Sequence, residues 1–224
     1  MKNPSAPTLA EDLLLVLFQP DSGAIAGEDT LDHVLAGAVL AELAFNESVA
    51  ATTTIAGPTS VEAVEGRAPS DEVLRLAWSH VADMPGEVQD VLAAIGPTLR
   101  QTLLERLIAR GDIREENGKV LGMLKITTLK DGGSGRRSTL IRDVYSVLVD
   151  RAEPTPRVAA LAALLWGSGI LRQLDPEISW SPVVITRAQE LERGDWSAEA
   201  ATQAVARATA AMISVIAAFP TRTR

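Results

Sequence analysis

The sequence predicts a mainly α-helical protein, a single compact multi-helix domain with one or two small β-hairpins. Hydrophobic residues make up 46% of the 224 residues but aromatic residues only 4%, so the core consists of Leu, Val, Ile and much Ala. Successive segments repeat apolar residues at helical spacing and begin with capping residues or proline. We expect one domain over residues 8–219, with residues 1–7 and 220–224 as flexible termini.

Two helices are predicted in the N-terminal part. Thr8-Leu9-Ala10-Glu11 matches a capping box and begins a helix that runs to Phe18. Residues 13–18 are apolar on every face, which predicts burial on all sides. A second helix over residues 30–45 contains small side chains that permit close approach of a neighbour.

A change in residue type follows the second helix. Residues 49–55 are rich in Thr and β-branched side chains and residues 61–64 alternate, so the break at Gly57-Pro58 predicts a short hairpin. Pro69-Ser70 is expected to cap the next helix, and residues 87–95 repeat the helical period. Further helices are predicted from Ser138 and over residues 155–172, 181–194 and 197–219.

The sharpest local pattern is a helix with one apolar face followed by a β-hairpin. Pro97 stands at the first helical position and Gly111 ends the helix. The apolar face consists of Leu99, Leu103, Leu104, Leu107 and Ile108. Residues 113–116 and 119–125 are predicted to be strands joined by a two-residue type I′ turn at Asn117-Gly118, because this pair accepts positive backbone angles.

The same region is basic in an acidic chain. Residues 100–142 contain ten Lys/Arg against five Asp/Glu, a net charge of +5, whereas the whole chain carries −8 and the remainder therefore −13. Such a segment favours docking to phosphate or carboxylate, and we predict Arg100, Arg106 and Arg110 as lipid-headgroup or anion-binding residues. The alternative interpretation is an ordinary solvated helix face.

Catalytic and metal-binding functions receive little support, and we predict a non-enzyme without cofactor or metal. The absence of cysteine excludes disulfides and thiol chemistry, and His33 and His80 lie alone on predicted helices without metal-ligand spacing. The glycine-rich residues 130–137 lack a P-loop lysine, which favours a mobile connector. Acid pairs at predicted caps and turns are assigned solvation and helix-dipole roles: Glu11-Asp12, Glu28-Asp29 and Glu115-Glu116.

The sequence also predicts a soluble, cytoplasmic protein that is at most peripheral at a membrane. Its longest apolar stretches, residues 158–166 and 208–219, are shorter than the roughly 20 residues that span a bilayer. Acidic residues interrupt the first apolar run, which is unlike a secretory signal.

Several blocks occur in one order along the chain: residues 9–17 with Asp21 and Gly23, residues 37–44, residues 105–113 with the hairpin, and residues 158–174, 186–191 and 212–219. This succession resembles the Golgi phosphoprotein 3 family over roughly residues 8–219. The resemblance implies a mostly helical domain that binds phosphatidylinositol 4-phosphate, acts in eukaryotes as an adaptor for glycosyltransferases and self-associates through the hairpin. The Ala- and Arg-rich composition favours a bacterial member.

The resemblance also identifies the positions of four headgroup ligands. A tryptophan of the first loop falls on Gly27, an arginine of the second helix on Ala36, and two basic residues of the central helix on Pro97 and Arg100. Only Arg100 keeps its type. Because each lost charge-assisted contact is worth about 1.5–3 kcal/mol, we expect the phosphoinositide site to be largely not retained.

The favoured interpretation is a membrane adaptor whose partners are anionic phospholipid or phosphoinositide, a second copy of the chain and an unknown protein client. Its hairpin is expected to contact a membrane or another subunit through Asn117, Gly118, Val120, Leu121, Met123 and Leu124. Alternatively, residues 120–124 pack on the domain itself. A second function class is a winged-helix-like nucleic-acid-binding protein that uses the basic helix and hairpin, although a pI near 4.9 opposes it.

Overall fold

The computed structural model describes residues 6–53, 58–120, 124–194, 210–211 and 213–215, with no side-chain account for residues 118–120 and 124–126. The described part is mainly helical, as predicted. The helices are α1 (Leu9–Leu17), α2 (Leu31–Phe45), α3 (Glu72–Asp83), α4 (Val88–Ile95), α5 (Leu99–Arg110), α6 (Arg136–Leu148), α7 (Pro156–Gly167) and α8 (Pro182–Glu192). Short 3₁₀ turns occupy Gly96–Thr98 and Leu171–Leu174. Most of the helix predicted over residues 197–219 lies outside the described residues.

The strands are short and antiparallel. They are β1 (Phe18–Gln19), β2 (Ala24–Ile25), β3 (Val49–Thr53), β4 (Thr59–Ala63), β5 (Gly86–Glu87), β6 (Ile113–Val120) and β7 (Leu124–Asp131). They form the pairs β1–β2 and β6–β7 and the three-stranded sheet β3–β4–β5. The hairpin predicted near residues 49–64 is confirmed, although its break at Gly57 lies outside the described residues.

Helix α1 is the centre of the core. Every one of its residues is buried, and it packs against α2, α5, α6 and α7. The predicted capping box is present, since the Thr8 hydroxyl accepts from the Glu11 N–H and the Glu11 carboxylate accepts from the Thr8 N–H. The apolar run of residues 13–18 is confirmed as buried on all sides.

Helix boundaries follow most of the capping signals, with corrections at α3, α5, α6 and α7. Pro97 lies in the 3₁₀ turn, so α5 begins at Leu99, and α7 ends at Gly167 instead of at residue 172. Thr155 and Ser181 cap α7 and α8 ahead of prolines, as expected. The residue that caps α3 is Asp71, whose carboxylate accepts two backbone N–H bonds, and not Pro69-Ser70. Helix α6 begins at Arg136 instead of Ser138, so it takes two arginines from the predicted connector.

The central helix is confirmed and the hairpin that follows it is shifted. Leu99, Leu103 and Leu107 are buried, and Gly111 ends α5 in the left-handed region with φ +76°. The predicted turn at Asn117-Gly118 is wrong, because these residues belong to β6 and pair with Thr127 and Ile126 of β7. The strands are joined by residues 121–123, which lie outside the described residues.

Candidate functional site

The β6–β7 hairpin is anchored at its base and exposed beyond it. Ile113 is fully buried and Leu129 packs against the core, whereas residues 114–117 and 127–128 are exposed. Two strands exposed in this way cannot bury an apolar face of their own, and a lone two-stranded hairpin is marginally stable in water. Residues 114–117 and 127–128 of the hairpin are therefore presented to the surroundings.

The register of the hairpin places cations opposite one another. Arg114 pairs with Lys130 and Lys119 pairs with Lys125. Like charges directly across an antiparallel ladder destabilise it, and an anion near them relieves the repulsion. The Arg114–Lys130 pair thus gives the base of the hairpin a position at which negative charge is favourable.

Two of the predicted anion-binding arginines are engaged by carboxylates. Arg110 Nε lies 2.8 Å from Glu11, and Arg106 lies 2.8 Å from Asp71 and 3.5 Å from Glu11. Burial works to raise the pKa of Asp71, but the hydrogen bond from Arg106, the N–H groups of Leu74 and Val73 and the charge of Arg106 outweigh it and lower that pKa. The structure thus gives Arg106 and Arg110 roles inside the protein.

Arg100 lies in a different environment from these two arginines. Its guanidinium makes a 2.5 Å ion pair with Glu28 of the loop before α2, and both side chains are exposed. Exposed ion pairs contribute little, about 0.2–1 kcal/mol. Arg100 is therefore the predicted anion ligand that a solvent-borne anion can reach with least competition.

The positions that the resemblance assigns to a phosphoinositide headgroup do not form a cationic pocket. Ala36 is fully buried within α2, and Pro97 lies in the 3₁₀ turn that precedes α5. A Cβ added at Gly27, whose φ is +74°, would lie 2.2 Å from the Ile170 side chain. The space that a larger first-loop side chain needs is thus occupied by Ile170.

A network of ion pairs that the sequence interpretation missed surrounds the first turn of α1. Asp12 is bound by Arg136 and by Arg157, the latter at 2.5 Å. Arg136 continues to Asp112 at 2.5 Å, and Arg157 continues to Glu42 at 3.3 Å. The available signal was the acid pair Glu11-Asp12 within an all-buried helix, because buried carboxylates require cationic or N–H partners.

The network shifts the pKa values of its members. Burial raises the pKa of Glu42, partly opposed by the Leu9 N–H and by Arg157 and assisted by the charge of Asp12. For Arg136, burial acts to lower the pKa, but Asp12 and Asp112 together raise it. Arg136 therefore stays fully charged between its two carboxylates.

The elements that build this site, α1, α5 and the β6–β7 hairpin, all lie within one family match. The sequence profile of the family described as Golgi phosphoprotein 3 matches residues 9–208. The chain belongs to the Golgi phosphoprotein 3 family. No curated protein matches the chain. This family is not a known enzyme family.

Two further observations concern what this Golgi phosphoprotein 3 family member contains. None of the helices in the described ranges is long and apolar enough to cross a bilayer. Within those same ranges, no group of three or more His, Asp or Glu side chains is arranged to hold a metal ion.

Proposed function

We propose that the protein is a non-enzymatic peripheral membrane adaptor that docks on anionic phospholipid through the hairpin and Arg100 and holds a protein client at the membrane. The observation that carries this proposal is the exposure of residues 114–117 and 127–128 of the hairpin, together with a register that pairs Arg114 with Lys130 and Lys119 with Lys125. Residues 117–128 also contain two lysines, several apolar residues and no acidic residue. Lysine next to apolar side chains suits an anionic membrane surface, where each cation adds about 1 kcal/mol of attraction.

The proposal does not include specific recognition of phosphatidylinositol 4-phosphate. Ala36 is buried, Ile170 lies against Gly27, and Pro97 offers no cation, so only Arg100 of the four family ligands remains. A single exposed arginine favours negative charge without selecting a headgroup. We expect anionic lipid in general, including phosphatidylglycerol, to be bound as well as the phosphoinositide.

Self-association through the hairpin is part of the same proposal. In the described part of the chain no third strand joins β6 and β7, so their outer edges carry backbone N–H and C=O groups that no strand pairs, although the Leu129 C=O lies close to Gly23. Exposed edges of this kind pair with another chain, and a second copy supplies a matching edge. A dimer or larger oligomer would also double the number of cations at the membrane.

The winged-helix alternative loses the residues on which it depended. A recognition helix must present its cations to DNA, whereas Arg106 and Arg110 of α5 are bound to Asp71 and Glu11. The chain as a whole carries −8, which opposes binding to a polyanion. Both observations oppose nucleic-acid binding through α5.

Vesicle co-sedimentation tests the proposal with a pair of matched double variants. Arg114→Glu/Lys130→Glu reverses the cation pair at the base of the hairpin, and Arg75→Glu/Arg172→Glu reverses two exposed arginines outside the basic segment. Both variants change the net charge by the same amount. We expect the hairpin variant to bind phosphatidylglycerol vesicles at least about thirtyfold more weakly, because it loses two attractions of about 1 kcal/mol each, and the control to bind like the wild type.

Neutral vesicles, vesicles doped with phosphatidylinositol 4-phosphate and two salt concentrations complete the experiment. Binding that weakens with salt and does not distinguish the phosphoinositide from phosphatidylglycerol at equal charge supports the proposal. Equal weakening by both double variants, or no binding to any vesicle, contradicts it. Light scattering on the same proteins measures self-association, and a wild type that stays monomeric at all concentrations rules out the oligomer.

A further inference from the structure

Both ends of the hairpin are attached to the same turn of the core helix α1. At the entry, Arg110 lies next to the Gly111 helix end and binds Glu11 at 2.8 Å. At the exit, Arg136 is the first residue of α6 and binds Asp12. Glu11 and Asp12 are adjacent and buried, so a rigid part of the core carries the partners of both flanking arginines.

A second set of contacts closes the base of the hairpin. The Asp112 carboxylate accepts from Ser134 Oγ at 2.6 Å and from Arg136 at 2.5 Å, and the Asp112 C=O accepts from the Gly132 N–H at 3.0 Å. Asp112 precedes β6, whereas Ser134 and Arg136 follow β7. The contacts of Asp112 therefore join the entry of the hairpin to its exit.

Arg136 is the residue common to both sets of contacts. One of its terminal nitrogens binds Asp112 at the base of the hairpin and the other binds Asp12 of α1. Its side chain is mostly buried, and both carboxylates are nearly inaccessible to solvent. Charge-assisted hydrogen bonds to a planar guanidinium fix direction as well as distance, which a more flexible lysine does less well.

We infer that Arg136 is a positioning residue that sets the direction in which the β6–β7 hairpin leaves the helical domain. Residues 114–117 and 127–128 are exposed, so this direction depends on the base, where Ile113 and Leu129 pack on the core and Arg136 joins Asp112 to α1. The positioning role of Arg136 does not depend on what the hairpin binds. An effect of Arg136 on docking rests on the function proposed above. A preoriented hairpin docks with a smaller loss of conformational entropy than a freely moving one.

Spin-label distance measurement tests this inference directly. The chain contains no cysteine, so Thr128→Cys on β7 and Ala94→Cys on α4 create two unique labelling sites at exposed positions. We expect a single narrow distance distribution in the otherwise wild-type protein. Arg136→Met is expected to lose this narrow distribution, because the hairpin base then loses the guanidinium that joins Asp112 to Asp12 of α1.

Two further variants keep the test interpretable. Arg142→Met removes an exposed arginine of the same helix, whose guanidinium bonds to Thr139, and should leave the distribution unchanged. Asp112→Asn/Arg136→Met removes the ion pair between Asp112 and Arg136 from both sides. Because no unpaired Asp112 charge stays buried, this variant is expected to fold even if the single variant does not. Circular dichroism and the thermal transition confirm that each variant is folded.

The outcomes separate this inference from the proposed function. A distribution that stays narrow in both Arg136 variants overturns the positioning role, whatever the vesicle binding. A broadened distribution with weaker binding to phosphatidylglycerol vesicles supports both the positioning role and docking through the hairpin. A broadened distribution with unchanged vesicle binding supports the positioning role and contradicts docking through the hairpin.

Discussion

At the scale of single residues, Glu42 holds a carboxylate between α1 and α2 where its charge is only partly compensated. Its Oε2 accepts the Leu9 N–H at 2.6 Å, and its Oε1 lies 3.3 Å from Arg157, which is shared with Asp12. Burial therefore raises its pKa above 4.5 in the folded protein. A raised pKa means that the folded state binds this proton more tightly than the unfolded state, so the contribution of Glu42 to stability is lost as pH rises through the folded value.

Glu42→Gln tests the sign of this effect. Gln does not titrate, so the free energy of unfolding of the variant minus that of the wild type should increase as the pH rises from about 4 to 7. Urea unfolding at a series of pH values measures the difference, and Glu62→Gln, at an exposed position of β4, corrects for the loss of one negative charge. A difference that falls with pH would show that the ion pair with Arg157 outweighs burial.

At the scale of elements, the close approach of two backbone segments closes the base of the hairpin. A Cβ added at Gly132 would lie 1.9 Å from the Gly111 carbonyl oxygen, a backbone atom that cannot rotate away. Gly133 next to it has open space, although its φ is +86°. Gly132 is thus required because a larger residue would clash, whereas Gly133 is favoured because its backbone is left-handed.

Gly132→Ala should destabilise the protein more than Gly133→Ala does. Gly133→Ala is expected to cost about 1 kcal/mol of stability, because its backbone is left-handed. Gly132→Ala is expected to cost about 2 kcal/mol or more, because it forces the strands apart and disrupts the hydrogen bond from the Gly132 N–H to the Asp112 C=O. Chemical unfolding gives both values. Equal costs would mean that the hairpin base adjusts freely.

The hairpin also shows where local sequence signals stop being sufficient. The sequence predicted a hairpin correctly, but Asn117-Gly118 suits a type I′ turn and still lies in a strand. Strand register follows from burial of Ile113 and Leu129 and from the closure at Asp112, which are contacts to the core. Local turn preference was therefore overridden by tertiary anchoring.

At the scale of the whole molecule, helix positions were predictable and charge partners were not. Capping boxes, N-terminal prolines and apolar spacing depend on neighbours in sequence, and they located α1, α5, α8 and the start of α7 closely. The predicted end of α7 at residue 172 is wrong, since the helix ends at Gly167. The ion pairs join residues far apart in the chain, such as Asp12 with Arg157, and their pairing exists only after folding. The count of +5 for residues 100–142 consequently overstated the charge available to a partner.

Arg157 gives the clearest test of what the network contributes to the whole fold. Its Nε donates to Asp12 at 2.6 Å, its Nη2 donates to the Pro7 C=O at 2.7 Å, and its Nη1 lies 3.3 Å from Glu42. Helices α1, α2 and α7 and the N-terminal segment therefore meet at one guanidinium. Arg157→Met leaves the largely buried carboxylates of Asp12 and Glu42 with fewer partners. Arg136 still binds Asp12, which limits the effect, so we expect the free energy of unfolding to fall by about 2–4 kcal/mol.

Arg151→Met is the matched control for that substitution. Its partner Glu190 lies on the surface at 3.0 Å, and exposed pairs of this kind contribute below about 1 kcal/mol. Urea unfolding at pH 7 compares the two variants under the same conditions. If Arg157→Met cost no more than Arg151→Met, the buried acids of α1 would be satisfied by their other partners without Arg157. A larger cost for Arg157→Met means that the charges around Glu11-Asp12 hold separate helices in one arrangement, including the base from which the hairpin projects.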